Sequence, residues 1–382
     1  MGLYSFGSSS YGGKGYFYIL LAVAGYFAIT SQSVPVERVP LYVTLFFLTG
    51  LSALVGLACY FLGPSAGFLT LIFPVGQENA ETQAQIYQST GMVRWGGVTA
   101  ACTAVYFFML ARYGIRDIFT LRNPWRLPLL VLLVAGSLFG GFRSSFALLV
   151  LVFVLQFYFE GLLRTVLFPV LLSAGIILLA VLVPVAEKLP LAVQRALSFL
   201  PLPINSMVEN DAKGSAEWRF QMWNELLPDL PKYVVMGKGY SIDPTEIYMT
   251  MESVRRGLRP EWHNSMLVGD YHSGPLSLYI PFGSLGVIAF LLFLITAARA
   301  LYFNYRYGDP ALAKINTFLL SLFVARIILF FVIFGAISSD LYYFTGIIGL
   351  SISFNGGVKN LRGRSQSPCE HVPALASPSL CG

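Results

Sequence analysis

Apolar residues in this chain fall in long blocks separated by short polar breaks, with no sustained two-residue alternation. The blocks lie near residues 15–31, 41–62, 96–111, 127–142, 145–159, 165–184, 276–298, 315–335 and 341–356. A helix needs roughly 20 apolar residues to cross about 30 Å of hydrocarbon, so the pattern predicts an all-α polytopic membrane protein with about nine transmembrane helices. The fourth and fifth blocks nearly abut. Gly140-Gly141-Phe142-Arg143-Ser144-Ser145 lies between them and predicts a tight hairpin at one membrane face. The stretch Gly63–Gly76 is apolar but interrupted by Pro64 and Pro74, and it is expected to be re-entrant or interfacial.

Between the sixth and seventh blocks the pattern changes. Residues 185–275 form a loop of about 90 residues, far beyond what a connection requires. It contains two helical-looking stretches, Val193–Leu200 and Glu217–Leu227. The expected division is therefore 1–184 as N-terminal transmembrane helices, 185–275 as a large helical loop, 276–356 as C-terminal transmembrane helices and 357–382 as a tail. The tail is rich in Ser and Pro from Ser365 and is expected to be disordered. No internal repeat is visible.

Composition reinforces the membrane reading. Hydrophobic residues make up 56% of the 382 residues and charged residues 12%, with a mean hydropathy of +0.67. A soluble domain carries about a quarter charged residues, so the polar coat of a soluble protein is missing. The basic residues also alternate from one connection to the next. Arg112, Arg116, Arg122 and Arg126 share one, Arg164 lies in another, and Arg299, Arg306 and Lys314 in a third, while Lys359, Arg362 and Arg364 follow the last block. The intervening short connections hold only Lys14, Arg94 and Arg143. By the positive-inside rule the first set is cytoplasmic. The 185–275 loop is then outside, which in a bacterium means the periplasmic side of the inner membrane. The net charge of +6 is accounted for by anchoring to anionic lipid and gives no support for a nucleic-acid partner. The same count places the N-terminus outside with no cleavable signal pattern in Met1–Lys14, so an upstream start or a truncated chain is an expectation beside an N-out first span. Cys59 and Cys102 lie in or beside blocks, and Cys369 and Cys381 in the tail, so the outside loop has no disulfide framework.

Candidate chemistry concentrates in that loop. Two of the three histidines, His263 and His272, stand just before the seventh block. A histidine titrates near neutrality and can take a proton from a hydroxyl, and an arginine guanidinium forks onto phosphate oxygens. Arg143 on the hairpin and Arg219, expected to open a loop helix, would suit a transfer from a lipid-linked pyrophosphate if they met His263 at the outer face. The arginines would neutralise the departing pyrophosphate while His263 activates an attacking sugar hydroxyl. Each has a plainer reading: Arg143 as a snorkelling boundary residue, Arg219 as an ion-pair partner of Glu217 or Glu225. Arg255, Arg256 and Arg259 suit a lipid-headgroup patch or a substrate contact, and Trp218 and Trp223 suit packing or a sugar platform. Arg326 lies inside the eighth block, where a charge is expensive, with an outer-leaflet phosphate or Asp340 as its conceivable partner. No metal site is expected: the loop has no Asp-x-Asp pair, His263 and His272 lack further ligands at usual spacing, and Glu78-Asn79-Ala80-Glu81 is only a carboxylate pair.

His263-Asn264, nine further residues and then Gly274 resemble the His-Asn-x9-Gly signature of the O-antigen ligase and O-antigen polymerase superfamily. Three residues on, where that family often has Gly, this chain has Ser277. Gly141-Phe142-Arg143-Ser144 resembles the family's arginine-bearing hairpin, Ser215-x3-Arg219-x3-Trp223 its loop-helix motif, and Gly237-Lys238-Gly239 the glycine turn that follows. The resemblance covers roughly residues 95–355. It implies a membrane glycosyltransferase of the GT-C type without a cofactor or metal. His263, Arg219 and Arg143 would be catalytic, and Asn264, Gly274, Trp223, Arg259 and His272 would bind substrate. It further implies a glycan donor on undecaprenyl diphosphate and a growing glycan, a lipid A core or a protein as acceptor. Family members are usually longer at the N-terminus. A transporter or flippase of lipid-linked glycans is the competing expectation. Transporters more often show repeats and mid-membrane polar residues, whereas here the polar residues gather in one loop.

Overall fold

The computed structural model describes residues 13–62, 68–69, 91–120, 122–240, 244–260 and 262–359, and all regular structure among them is helical. Most of Gly63–Gly76, the carboxylate pair at Glu78 and Glu81, and the tail from Ser365 lie outside the described residues.

Every apolar block forms helix. α1 (Gly13–Thr30) is followed by α2 (Val39–Leu48) and α3 (Leu54–Leu62), joined through a tight 3-10 turn at Thr49–Ala53 into one rod where the sequence predicts a single span. Then come α4 (Gly96–Ile118), α5 (Arg126–Ser137), α6 (Arg143–Phe159) and α7 (Leu167–Val185). The loop folds into α8 (Leu191–Ala196), α9 (Ser206–Leu226), α10 (Pro244–Arg255) and α11 (Trp262–Leu267). The bundle ends with α12 (Gly274–Tyr307), α13 (Ala313–Ile328) and α14 (Ile337–Asn355). Among the described residues, five helical segments are long and apolar enough to cross a membrane: Val36–Ala58, Gly96–Ile118, Leu167–Lys188, Gly274–Tyr307 and Pro310–Ile333. Gly15–Thr30, Arg126–Gly140 and Arg143–Phe159 are shorter apolar helices.

Packing shows what solvent the fold requires. The core centres on α4 and α13, where Leu110, Phe318 and Phe323 are fully buried and Phe344 of α14 closes over them. By contrast α7, an almost purely aliphatic helix, buries none of its residues in the protein. An apolar surface of that length exposed to water would cost about 25 cal/mol for each Å². Hydrocarbon removes that cost.

The bundle has two chemically different ends. At one, Lys314 pairs with Asp117, Glu160 caps the backbone of Ile115 and Arg116, and Asn304, Asn316 and Asn355 form a buried amide network. The basic connections that the alternation assigns to one side gather there. The α5–α6 turn, the large loop and the α13–α14 turn lie at the other end, where Trp95 N–H donates to Phe139, Arg195 reaches Gly141, and Ser277 accepts from Ile337 N–H.

Two departures from the expected helices matter for the site. The loop helix expected over Glu217–Leu227 begins at Ser206, because Asn205 caps it by accepting from Met207 N–H at 2.9 Å. Its first turns are polar and lack an apolar stripe, so periodicity does not reveal them. Arg219 therefore sits within α9 instead of opening it. The other departure is a break in α12 at Gly283, whose φ of 63° is left-handed. The freed carbonyls of Ile280 and Pro281 accept from Lys238 and Gly239 N–H at 2.7 and 3.0 Å, and Ser284 N–H donates to Val234. A Cβ on Gly237 would fall 2.1 Å from the Pro281 carbonyl carbon, so only glycine permits this approach. The Gly-Lys-Gly turn thus pins the loop to the break in α12.

Candidate functional site

The α5–α6 hairpin turns on Gly141, which has φ 68°, and Arg143 is the first residue of α6. A helix start carries about half a positive charge from its free N–H groups, so a cation there is placed against the local field unless an anion joins it. Arg195 of α8 is buried and donates to the Gly141 carbonyl at 2.7 Å, to Ser215 Oγ at 3.2 Å and through Nε to Asp211. Arg94 lies 3.4 Å from the same Asp211 oxygen. Arg143 donates to the Ala212 carbonyl at 3.3 Å. Arg143 feels the charges of Arg195 and Arg219 as well as that of Asp211. Burial, then Arg195, pushes Arg94 down to about 10 despite Asp211, and burial and Arg195 push Arg219 down as well. Arg94 and Arg195 thus pair with Asp211, Arg143 feels the same carboxylate, and Arg219 lies within the field of Arg195 and Asp270, a crowding of positive charge that a phosphate-bearing ligand would relieve.

His272 stands at the edge of this cluster. Its φ is 49°, the one positive value among the described non-glycine residues, and strain of that kind persists only where surroundings enforce it. The ring lies 5.1 Å from that of Trp218 and 5.4 Å from that of Phe334, with Nδ1 3.5 Å from Asp270 Oδ1. The Arg219 guanidinium sits 5.8 Å from the same Phe334 ring. Burial is the main cause that lowers the His272 pKa below 6.5, with Arg219 adding to it and Asp270 opposing. The imidazole is therefore neutral at pH 7.

Sign follows from which state holds the proton. The unfolded chain protonates His272 at higher pH than the folded one, so stability from this residue is full above pH 6.5 and lost as pH falls through the lowered folded value. The melting temperature should therefore drop on acidification through that window, and His272→Gln should flatten this part of the profile. An unchanged profile in the variant would mean that another group carries the acid sensitivity.

His263 and Asn264 lie on α11, apart from the arginines. His263 Nε2 is 3.0 Å from Glu225 Oε1 of α9, and its ring stacks on Trp262 at 4.2 Å. His263 Nδ1, Asn264 Oδ1 and Trp262 Nε1 are buried with no hydrogen-bond partner among the described residues. Glu225 follows Arg219 by six residues, about 9 Å of helical rise. The structure thus brings Arg143, Arg219 and His272 to one cluster, and sets His263 of α11 against Glu225, further along α9 and one of the two carboxylates that the sequence offers to Arg219.

The remaining expected residues lie in the same loop and at the start of α12. Trp223 Nε1 donates to the Tyr271 carbonyl at 2.8 Å and so fixes the segment that carries His272. Gly274 starts α12 where a Cβ would fall 2.2 Å from the Phe330 carbonyl, which makes it a close-packing glycine. Arg259 is exposed, while Arg255 and Arg256 both pair with Glu252. Sequence reasoning missed Arg195, Asp211 and Asp270 as members. Arg94 carried a usable signal, since it breaks the positive-inside trend as Arg143 does. Arg195 is a lone charge in the apolar run Leu191–Leu200, which was a weaker clue. Among the described residues, no group of three or more His, Cys, Asp or Glu side chains could hold a metal ion.

Beside the cluster opens a cavity of about 1010 Å³, lined mainly by apolar residues of α1, α2, α4, α6, α13 and α14. Ser144 and Ser145, which follow Arg143, line it, and so does Phe334.

An all-helical bundle with five membrane-length apolar helices, one of them burying nothing inside the protein, is a multi-pass membrane protein. The family model described as O-antigen ligase matches residues 128–291, from α5 to the middle of α12, and supports the likeness of this segment to the O-antigen ligase and polymerase superfamily. That family is associated with glycosyltransferase-like ligase or polymerase activity. No curated protein and no solved structure matches the chain. Arg143, Arg195, Arg219, His263, His272 and Gly274 all fall within the matched segment.

Proposed function

We propose that this protein transfers or polymerises a glycan from undecaprenyl diphosphate on the periplasmic face of a bacterial inner membrane, without a metal. The observation that carries the reading is the crowding of Arg94, Arg143 and Arg195 about Asp211, with Arg219 close enough to Arg143 and Arg195 to feel their charges, at the end of the bundle that holds the large loop. Cations placed where negative charge grows lower a transition state most effectively, and here charge grows on the diphosphate as it leaves. Arg143 and Arg219 are the assigned diphosphate ligands.

In the reaction an acceptor hydroxyl oxygen forms a bond to the anomeric carbon of the donor sugar. The bond from that carbon to the phosphate oxygen breaks, and its electron pair leaves with the lipid diphosphate. The hydroxyl proton passes to His263. With the Nε2 proton donated to Glu225, the Nδ1 lone pair is the basic site. Neutral His272, Asn264, Trp223, Gly274 and Arg259 are assigned to substrate binding, His272 directly beside Arg219. The acceptor is a growing glycan, a lipid A core or a protein hydroxyl.

The test uses purified full chain in nanodiscs with a radiolabelled undecaprenyl-diphosphate glycan, candidate acceptors and EDTA. Label should move to an acceptor with the wild type, and Arg219→Ala should lower the rate about 10²-fold, the scale of losing one electrostatic contact to a developing charge. Donor binding without any transfer, followed by label crossing sealed vesicles, would replace the enzyme with a transporter.

A further inference from the structure

The cavity holds a charged pair that the reaction above does not use and that lies beyond the matched segment. Arg326 of α13 and Asp340 of α14 both line it, inside or next to the apolar span Pro310–Ile333. A cation at such a place is expensive and is kept where it has work to do. Yet its pairing is loose. Arg326 Nη1 is 3.7 Å from Asp340 Oδ1, beyond hydrogen-bond length, and Arg326 Nε is buried with no partner among the described residues. The guanidinium also lies 3.8 Å over the Tyr343 ring. Asp340, for its part, is already satisfied through Oδ2, which accepts from Ala336 N–H at 2.9 Å. Arg326 can therefore turn to another anion without stranding its carboxylate.

We propose that Arg326 is a phosphate-binding residue of this cavity, and that the occupant is a polyisoprenoid diphosphate whose chain lies against the apolar lining. The inference rests on the donor class given above and adds a second anchoring point to it. Continuity supports the assignment. Ser144 and Ser145 carry the lining to Arg143, and the Phe334 ring, 5.8 Å from the Arg219 guanidinium and 5.4 Å from the His272 ring, lines the same space. Leu21, Ile29, Phe47 and Phe107 contribute lining that a free phosphate could not exploit. At about 1010 Å³ the space stands at the upper end of the ~300–1,000 Å³ usual for ligand sites, as a chain-bearing ligand needs.

The experiment measures binding to the full chain in phosphatidylcholine nanodiscs with three probes: geranylgeranyl diphosphate, geranylgeraniol and inorganic pyrophosphate. Wild type should bind the diphosphate lipid most tightly. Arg326→Gln should weaken that binding at least tenfold and change pyrophosphate binding less than twofold, Arg326→Lys should recover part of the loss, and Asp340→Asn should bind at least as tightly as wild type. Equal binding of the diphosphate lipid by Arg326→Gln and wild type would overturn the proposal. So would a loss in Asp340→Asn matching that in Arg326→Gln, since the pair would then be structural. Failure of pyrophosphate to bind wild type would count against the arginine cluster as a diphosphate site, while the comparison of lipid binding still decides the role of Arg326.

Discussion

His263→Ala should lower glycan transfer by ~10²–10⁴-fold, the range that general-base catalysis supplies, while the protein still inserts and folds. The expectation rests on how His263 is held. Its side chain is only 13% exposed, Nε2 faces Glu225 and Nδ1 has no partner among the described residues. A buried imidazole nitrogen left unpaired costs free energy, and a substrate hydroxyl would relieve that cost. Removal of the ring also deletes one face of the stack on Trp262, a packing loss that a melting curve detects separately from activity. Glu225→Gln is the companion variant. The amide still accepts a hydrogen bond from Nε2–H but no longer stabilises an imidazolium, so the rate should fall while the ring orientation survives. Full glycan product from His263→Ala in a complementation assay would remove His263 from the chemistry and leave neutral His272, beside Arg219, as the base to test.

Asp211→Asn should act in opposite directions on stability and on anion binding. Asp211 is the carboxylate shared by Arg195 and Arg94, with 20% of its side chain exposed against 10% and 12% for the two arginines. Breaking a fully buried pair costs about 3–5 kcal/mol because a charge is left uncompensated; partial exposure here reduces the expected loss to about 2–3 kcal/mol. The melting temperature of the unliganded protein should fall accordingly. Binding of inorganic pyrophosphate should tighten on the order of tenfold, since the anion no longer competes with a resident carboxylate and Coulomb interactions near a protein surface reach a few kcal/mol at contact. Added pyrophosphate should then restore much of the lost stability through binding to the folded state. A variant that melts lower and also binds pyrophosphate more weakly would mean that Asp211 shapes the site more than it occupies it.

Much of the architecture was legible before any coordinates because it depends on a one-dimensional quantity. Each apolar block became a helix, and the Gly140–Ser145 break became a hairpin with Gly141 in the left-handed region. Helices satisfy their own backbone groups within a segment, so in hydrocarbon the local sequence suffices to define them. Arg143 stood out in the sequence because an arginine at the outer face is unusual by charge alone, and the fold places it within the field of Arg219. The polar first half of α9 was not, because its cap at Asn205 and its packing replace an apolar stripe.

The sequence by itself determined a helical membrane protein with a large polar loop and a matched O-antigen ligase segment, because hydrophobic length and motif order are properties of the chain alone. Only the tertiary structure decided which charges meet. It set Arg94, Arg195 and Asp211, separated by more than 100 positions at the extremes, into one cluster with Arg143. It also set His263 of α11 against Glu225, six residues beyond Arg219 on α9, and put His272 beside Arg219 instead. The reason is that electrostatic partnership depends on distance and burial in three dimensions, and long-range packing of α8 and α9 against the hairpin, not spacing along the chain, sets both.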